Sequence, residues 1–198
     1  TRINGTHMDK PTNSLTREAW IDFALQKLTD EGIDKVSVAA LARDLNVTKG
    51  SFYWHFKDRE DLLQAILDRW ERTGSDVVFR EVDRVGGGGE RRLKHMSDVI
   101  FRRYGDQLNL ELALRDWGRK DPKILETIAR EDERRMDYMR GLFADIYDDP
   151  KIAEAKAWLL FSLYVGEIII AAPIKEQNRE ELLWTCLNTL FEGRAGNS

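Results

Sequence analysis

Apolar residues recur three and four positions apart along most of this chain, and that period belongs to helices packing one face inward. Ile21, Ala24, Leu25 and Leu28 share a face of a first helix that Thr16 or Ser14 can cap and Gly32 can end. Ser37 precedes a second stripe of Val38, Leu41, Ala42 and Leu45, and only Asn46 and Val47 separate it from Thr48, the expected cap of a third helix. Two helices joined so tightly make a helix-turn-helix, and Asn46 suits the left-handed backbone such a turn needs. Asp58 can start a fourth helix, with Leu62, Leu63, Ile66, Leu67 and Trp70 inward.

The pattern continues more loosely. Thr73-Gly74-Ser75 reads as a break before Val78, Val82 and Val85, and Gly86 to Gly89 reads as a flexible loop. A helix is expected from Glu90 to Tyr104 with Leu93, Met96, Ile100 and Phe101 inward. Another opens at Asp121-Pro122, carries Ile124, Leu125, Ile128, Met136, Met139, Leu142 and Phe143, and is expected to stop at Asp148-Asp149-Pro150. Ala157 to Ile174 is the most apolar segment, and Glu180 to Phe191 is a last amphipathic helix with Leu183, Leu187 and Leu190. No run alternates long enough to predict a sheet, so the fold class is all-α.

Leu45 to Arg59 carries the densest chemistry: a helix start, four aromatics and a cluster of Lys49, His55, Lys57 and Arg59. Phe52 and Phe56 stand four apart and can hold the helix on a core, which leaves Tyr53, Trp54 and His55 free. Lys49 and Gly50 in the first turn leave the backbone amides open to a phosphate, and Gly50 admits close approach to a groove wall. The stretch reads as a surface made to lie on DNA.

Charge changes the picture only locally. The 198 residues carry a net charge of −4, so the high isoelectric point usual for a nucleic-acid binder is missing. Asp22, Asp30, Glu31 and Asp34 are expected to face away from the basic cluster, and screening over about 8 Å lets local charge dominate. A single cysteine, Cys186, excludes an internal disulfide and a paired-cysteine zinc site, which fits a reducing cytoplasm. Residues 1–13 read as a cloning-derived leader and flexible N-terminus around His7-Met8, residues 14–60 as the helix-turn-helix head, and residues 61–198 as a larger helical body.

At Thr48-Lys49-Gly50-Ser51-Phe52-Tyr53-Trp54-His55-Phe56-Lys57, backed by Glu60, Leu62 and Leu63, the chain resembles the TetR/AcrR-type bacterial transcriptional regulators. The resemblance runs from about Thr16 to Leu63, with Asn46 in place of the usual turn glycine and Trp54 at a variable position. A weaker similarity continues over Glu111 to Pro122. The resemblance implies a ligand-responsive repressor that binds a palindromic operator in double-stranded DNA as a homodimer and is released by a small molecule. Its expected DNA contacts are Ser37, Thr48, Lys49, Gly50, Ser51, Tyr53, Trp54, His55, Lys57 and Arg59, the last three clamping the backbone.

The body is expected to supply the effector pocket and the dimer contact. Trp70, Phe101, Tyr104, Trp117, Trp158, Phe161 and Tyr164 are candidate pocket residues, although aromatics at such spacings are more often plain core. The two C-terminal helices are expected to pair with those of a second copy in a four-helix bundle, with Val165 and Leu187 at the contact. A membrane span over Ala157 to Ile174 is rejected because Glu167 interrupts it and Pro173 sits at its end. Glu167 is expected to pair with an arginine, Arg115 to be structural, and Arg130 to Arg135 to be a solvated, charge-paired face. No metal or cofactor is expected: His95 lacks a partner at ligand spacing, and no phosphate loop or nucleophile elbow occurs. A helical carrier or interaction protein with vestigial DNA binding remains the alternative, with an uncharacterised enzyme behind it.

Overall fold

The computed structural model describes residues 15–102, 106–170 and 176–192, and every regular element among them is helical. Ser14, Tyr104, Pro173, Ile174 and residues 1–13 lie outside the described residues. Helix α1 spans Arg17–Glu31, with the Thr16 hydroxyl accepting from the Ala19 amide at 3.1 Å. Gly32 ends it at φ 83°, and its N–H returns to the Leu28 carbonyl. After a 3-10 turn over Ile33–Lys35 come α2 (Val38–Asp44) and α3 (Lys49–Tyr53), capped by Ser37 and Thr48 as expected. Asn46 joins them at φ 54°, the left-handed backbone the turn requires.

Helix α4 (Arg59–Glu71) starts at the Asp58 carboxylate and leads out of the head. The expected break at Thr73-Gly74-Ser75 does not occur. A π-helical turn over Arg72–Asp76 carries α4 into α5 (Val77–Val85), stabilised by Thr73 donating back to the Arg69 carbonyl at 2.8 Å. Helix α6 (Gly89–Arg102) begins inside the expected glycine loop. There Gly89 lies so close to the Leu142 carbonyl that a Cβ would stand 2.1 Å from it.

Helix α7 (Asp106–Lys120) was not marked by the hydrophobic pattern as an element of its own. Helix α8 (Pro122–Ala144) opens at Asp121 with proline in its first turn, but it ends well before Asp148-Asp149-Pro150. That triplet starts the next helix: the Asp149 carboxylate accepts from the Lys151 amide at 2.9 Å, and α9 (Pro150–Ile169) begins at Pro150 rather than near Ala157. Helix α10 (Glu176–Thr189) closes the described chain.

Two apolar clusters result. One surrounds Trp20, Leu28, Leu41, Phe52 and Leu62, and takes in Trp70 from α4, Leu114 and Trp117 from α7, and Ile124 and Ile128 from α8. The other lies among α5, α6, α8, α9 and α10, around Val82, Leu93, Phe143, Leu160 and Leu187. Leu187 is therefore fully buried within the chain and not at its surface. Contacts of α1 with α4 and α7 fix the head against the body.

Candidate nucleic-acid interface and internal cavity

The head's outer face is built from the turn and from α3. Phe52 is fully buried and Phe56 nearly so; their rings stack at 5.1 Å, and Trp20 meets Phe52 edge-on at 5.4 Å. With that side of α3 anchored, the next residues must point out: Tyr53 is 58% and Trp54 87% exposed. Thr48, Lys49, Gly50 and Lys57 are exposed too, while Ser37, Ser51 and His55 are half-buried. A Cβ on Gly50 would make only ordinary contact, 3.6 Å from the Thr48 hydroxyl, so the protein itself does not demand glycine there.

Arg59 departs from its expected role as a backbone clamp. Its Nε donates to the Val36 carbonyl at 2.6 Å, a terminal nitrogen reaches the Ile33 carbonyl at 3.3 Å, and Glu60 stands beside it. The guanidinium braces the start of α4 against the 3-10 turn before α2, where the Ile33 carbonyl also accepts from the Val36 N–H at 3.1 Å. Several of the head's acids also have cationic partners. Asp22 and Glu18 pair with Arg69, Glu31 and Asp44 with Lys27, and Asp34 with Lys120. Among the described residues neither Lys49 nor Lys57 enters an ion pair, so the surface beside α3 keeps its positive charge.

The tetR family of bacterial regulatory proteins matches residues 21–66, the stretch that holds this turn, α3 and most of α4. Over those residues the head is similar to that family. The HTH-type transcriptional regulator AcrR of Shigella flexneri is 37% identical over 68 residues, 34% of this chain and 30% of that one. The tetracycline repressor protein class C of Escherichia coli is 41% identical over 56 residues, 28% of this chain and 26% of the repressor. TtgR of Pseudomonas putida is 34% identical over 91 residues, 43% of each chain. The chain thus spans between a quarter and under half of the length of these curated relatives. In fold the likeness is wider: a TetR-family transcriptional regulator from Streptomyces coelicolor superimposes with a TM-score of 0.73 at 17% identity, covering 92% of this chain and 90% of that one. GusR of Salmonella enterica gives 0.67 at 19% identity, covering 93% and 97%.

Behind the head the body holds a cavity of about 130 Å³. Val78, Phe79, Met96, Ile100, Met139, Phe161, Tyr164, Val165 and Ile168 give it an apolar wall, and Gly74 and Ser75 of the π-helical turn form one edge. Phe79 is fixed by stacking on Tyr138 at 4.0 Å. Burial and the Asp83 carboxylate push the Tyr138 hydroxyl up to about 12, so it stays a donor to Asp83. The Tyr164 hydroxyl is tied to Ser97 at 2.7 Å.

Of the expected pocket aromatics among the described residues, only Phe161 and Tyr164 line this cavity. Phe101 stands behind the wall, edge-on to Tyr164 and Trp184. Trp70 and Trp117 belong to the head-side core, and Trp158 is 61% exposed on the outside of α9. One face of a helix carries only so many aromatics inward, and at these positions packing against the head, or outward exposure, took precedence.

The polar end of the cavity was missed by aromatic counting. Glu111, Arg115 and Arg135 line it. One Glu111 oxygen accepts from the Trp70 indole at 2.8 Å and from Arg135 at 2.8 Å, and Arg135 also donates to Ser75 at 2.9 Å. Arg115 holds Asp132 by two bonds of 2.9 Å. Burial pushes the Glu111 carboxyl up, but the charge and hydrogen bond of Arg135, the Trp70 N–H and the charge of Arg115 outweigh it and hold the group below the usual carboxylate range. The Arg130 to Arg135 run is charge-paired along the helix as expected, Arg134 and Arg135 with Glu131, and Arg130, Glu133 and Arg134 are exposed; but Glu131 is only 4% exposed, and Arg135 reaches across to α7. The i,i+4 spacing of Glu111 and Arg115 was the available signal. Glu167, as expected, pairs with Arg179 at 2.7 Å.

Proposed function

We propose that this TetR-type chain is a DNA-binding transcriptional regulator, acting as a repressor that a small molecule releases. The observation that carries this reading is the exposed face of Thr48, Lys49, Gly50, Tyr53, Trp54 and Lys57 on a head whose core is closed beneath it. Such a face supports α3 entering a major groove, with Tyr53 and Trp54 toward base edges and Ser37, Thr48, Lys49, Ser51, His55 and Lys57 toward phosphates. Arg59 supports the arrangement from within.

A palindromic operator needs two heads about 34–36 Å apart, hence a dimer. Trp158, Leu159 and Ile169 of α9 and Leu182 of α10 are 44% to 64% exposed, an apolar face suited to a second copy. An interface there should bury more than about 1,000 Å². Effector release would act through the cavity and α4, and a tenfold loss of operator affinity requires only about 1.4 kcal/mol of coupling.

The test is a mobility-shift titration with the DNA flanking the gene, alongside sedimentation of wild type and Trp158→Asp. Retarded, specific complexes and a dimer that the variant converts to non-binding monomers are expected. Absence of a specific complex would overturn the regulator reading, and a monomeric wild type at micromolar concentration would overturn the dimer.

A further inference from the structure

The polar end of the cavity is incompletely matched. Glu111 has both donors on one oxygen, whereas its other oxygen, Oε2, is buried and accepts no hydrogen bond. Arg115 spends both terminal nitrogens on Asp132, whereas its Nε is buried and donates to nothing. The two residues stand one turn apart on α7, with a terminal nitrogen of Arg115 3.8 Å from that same Oε2. A buried acceptor and a buried donor left side by side are each costly, and each is a feature a ligand can complete.

The chemistry of the missing group follows from what each candidate can offer. A carboxylate only accepts, so it would suit Arg115 Nε and be repelled by Glu111. An ammonium only donates, so it would suit Glu111 and leave Arg115 Nε unmatched. A hydroxyl does both, so one oxygen brought between the two atoms can donate to Oε2 and accept from Nε. The remaining wall, with Phe79, Met96, Ile100, Met139 and Phe161, is apolar. Its size is that of a site for one or two rings, since an apolar cavity of about 150 Å³ accommodates benzene.

We propose that the cavity takes a small hydroxylated aromatic molecule, its ring against the Phe79–Met96–Phe161 wall and its hydroxyl bridging Glu111 Oε2 and Arg115 Nε. This rests on the reading of the cavity as the effector site, and it specifies the effector's class. Gly74 and Ser75 of the π-helical turn border the same space, and the Trp70 indole of α4 shares Glu111 with it, so occupancy is sensed where α4 leaves the head.

Calorimetric titration of the whole protein with matched rings tests the class: 4-ethylphenol, ethylbenzene, 4-ethylbenzoate and 4-ethylbenzylamine, with 2-naphthol and naphthalene as the larger pair. The phenol or the naphthol should bind at least tenfold more tightly than its unsubstituted, carboxylate and ammonium counterparts. In Glu111→Gln the two donors should keep the amide oxygen at the Oε1 position, placing NH2 where the free acceptor was, and the preference should fall below threefold. Ile100→Trp, which fills the cavity without touching the polar cluster, should abolish binding of both members of a pair.

Equal binding of the hydroxyl-free rings would overturn the proposal and make the site purely apolar, with water serving the two polar atoms. Preference for the carboxylate or the amine, or no binding of either hydroxylated ring, would overturn it as well. Operator mobility shifts run with the same compounds separate the two readings: a phenol that binds in the cavity yet leaves operator affinity unchanged sinks effector release, while the ligand class stands.

Discussion

The head and the body of this chain solve the same packing problem in opposite ways. In the head, short helices surround a closed core in which Trp20, Leu28, Leu41, Phe52 and Leu62 have no exposure at all, and the chemistry is pushed outward to Tyr53, Trp54 and Lys49. In the body, longer helices leave a cavity of about 130 Å³, and the chemistry points inward at Glu111, Arg115 and Arg135. Trp54 and Trp70 make the contrast concrete: one indole is 87% exposed on the outer face of the head, the other is 3% exposed with its N–H on Glu111. A surface that must present fixed groups to a large, rigid partner benefits from a dry core beneath it. A site for a small molecule needs space that the fold does not fill.

The sharpest way to break this contrast is to delete a ring from each core. Phe52→Ala should destabilise the protein by about 3–5 kcal/mol and abolish operator binding, because the cavity it leaves is enclosed by rigid neighbours. Phe161→Ala, which enlarges a space already present, should cost less than half as much in chemical denaturation. Equal losses would mean that the body is packed as tightly as the head.

Next in size is the polar hub. Trp70→Phe removes one donor from Glu111 and should cost about 1.5–3 kcal/mol, the range for a hydrogen bond to a charged group. Because the Glu111 carboxyl is held below its unfolded value, its stabilising contribution is fully present above that value and lost as the pH falls through the lower folded one. The stability difference between wild type and Glu111→Gln should therefore be constant near neutrality and close below about pH 4. A difference that grows on acidification would mean that the hub is not ionised.

Lys49→Ala sharpens the outward half of the comparison. It should leave thermal stability unchanged, weaken operator binding about equally across sequences, and lower the salt slope by about one unit. An unaltered slope would remove Lys49 from the phosphate contacts. The smallest effect is expected at the turn: Asn46→Ala should cost about 1 kcal/mol through the left-handed backbone, and Asn46→Gly should be within about 0.5 kcal/mol of wild type. Thermal melts of the two variants would decide whether that conformation or the Asn side chain matters.

Local signals made the head legible in the sequence. Thr16, Ser37, Thr48, Asp58 and Asp121 cap helices where they were expected, and Phe52 and Phe56 bury the side of α3 that their spacing indicated. Capping, turn conformation and one-face periodicity depend on residues within four positions of each other, so a linear reading can find them. The same logic misread Asp148-Asp149-Pro150 as an end, because aspartate before proline fits a stop and a start equally until the next helix is placed.

What the sequence by itself determined was the helical class, the helix-turn-helix and the outward set around Lys49 and Tyr53. The cavity, the bracing role of Arg59 and the hub at Glu111 were decided only by the tertiary structure. Arg59 finds carbonyls 23 and 26 residues away, and Glu111 gathers an indole from 41 residues before it and a guanidinium from 24 residues after it. Such partners have no local periodicity, since their meeting depends on how whole helices cross. A void has even less of a signature, because it consists of space that neighbouring elements, each locally well formed, fail to fill together.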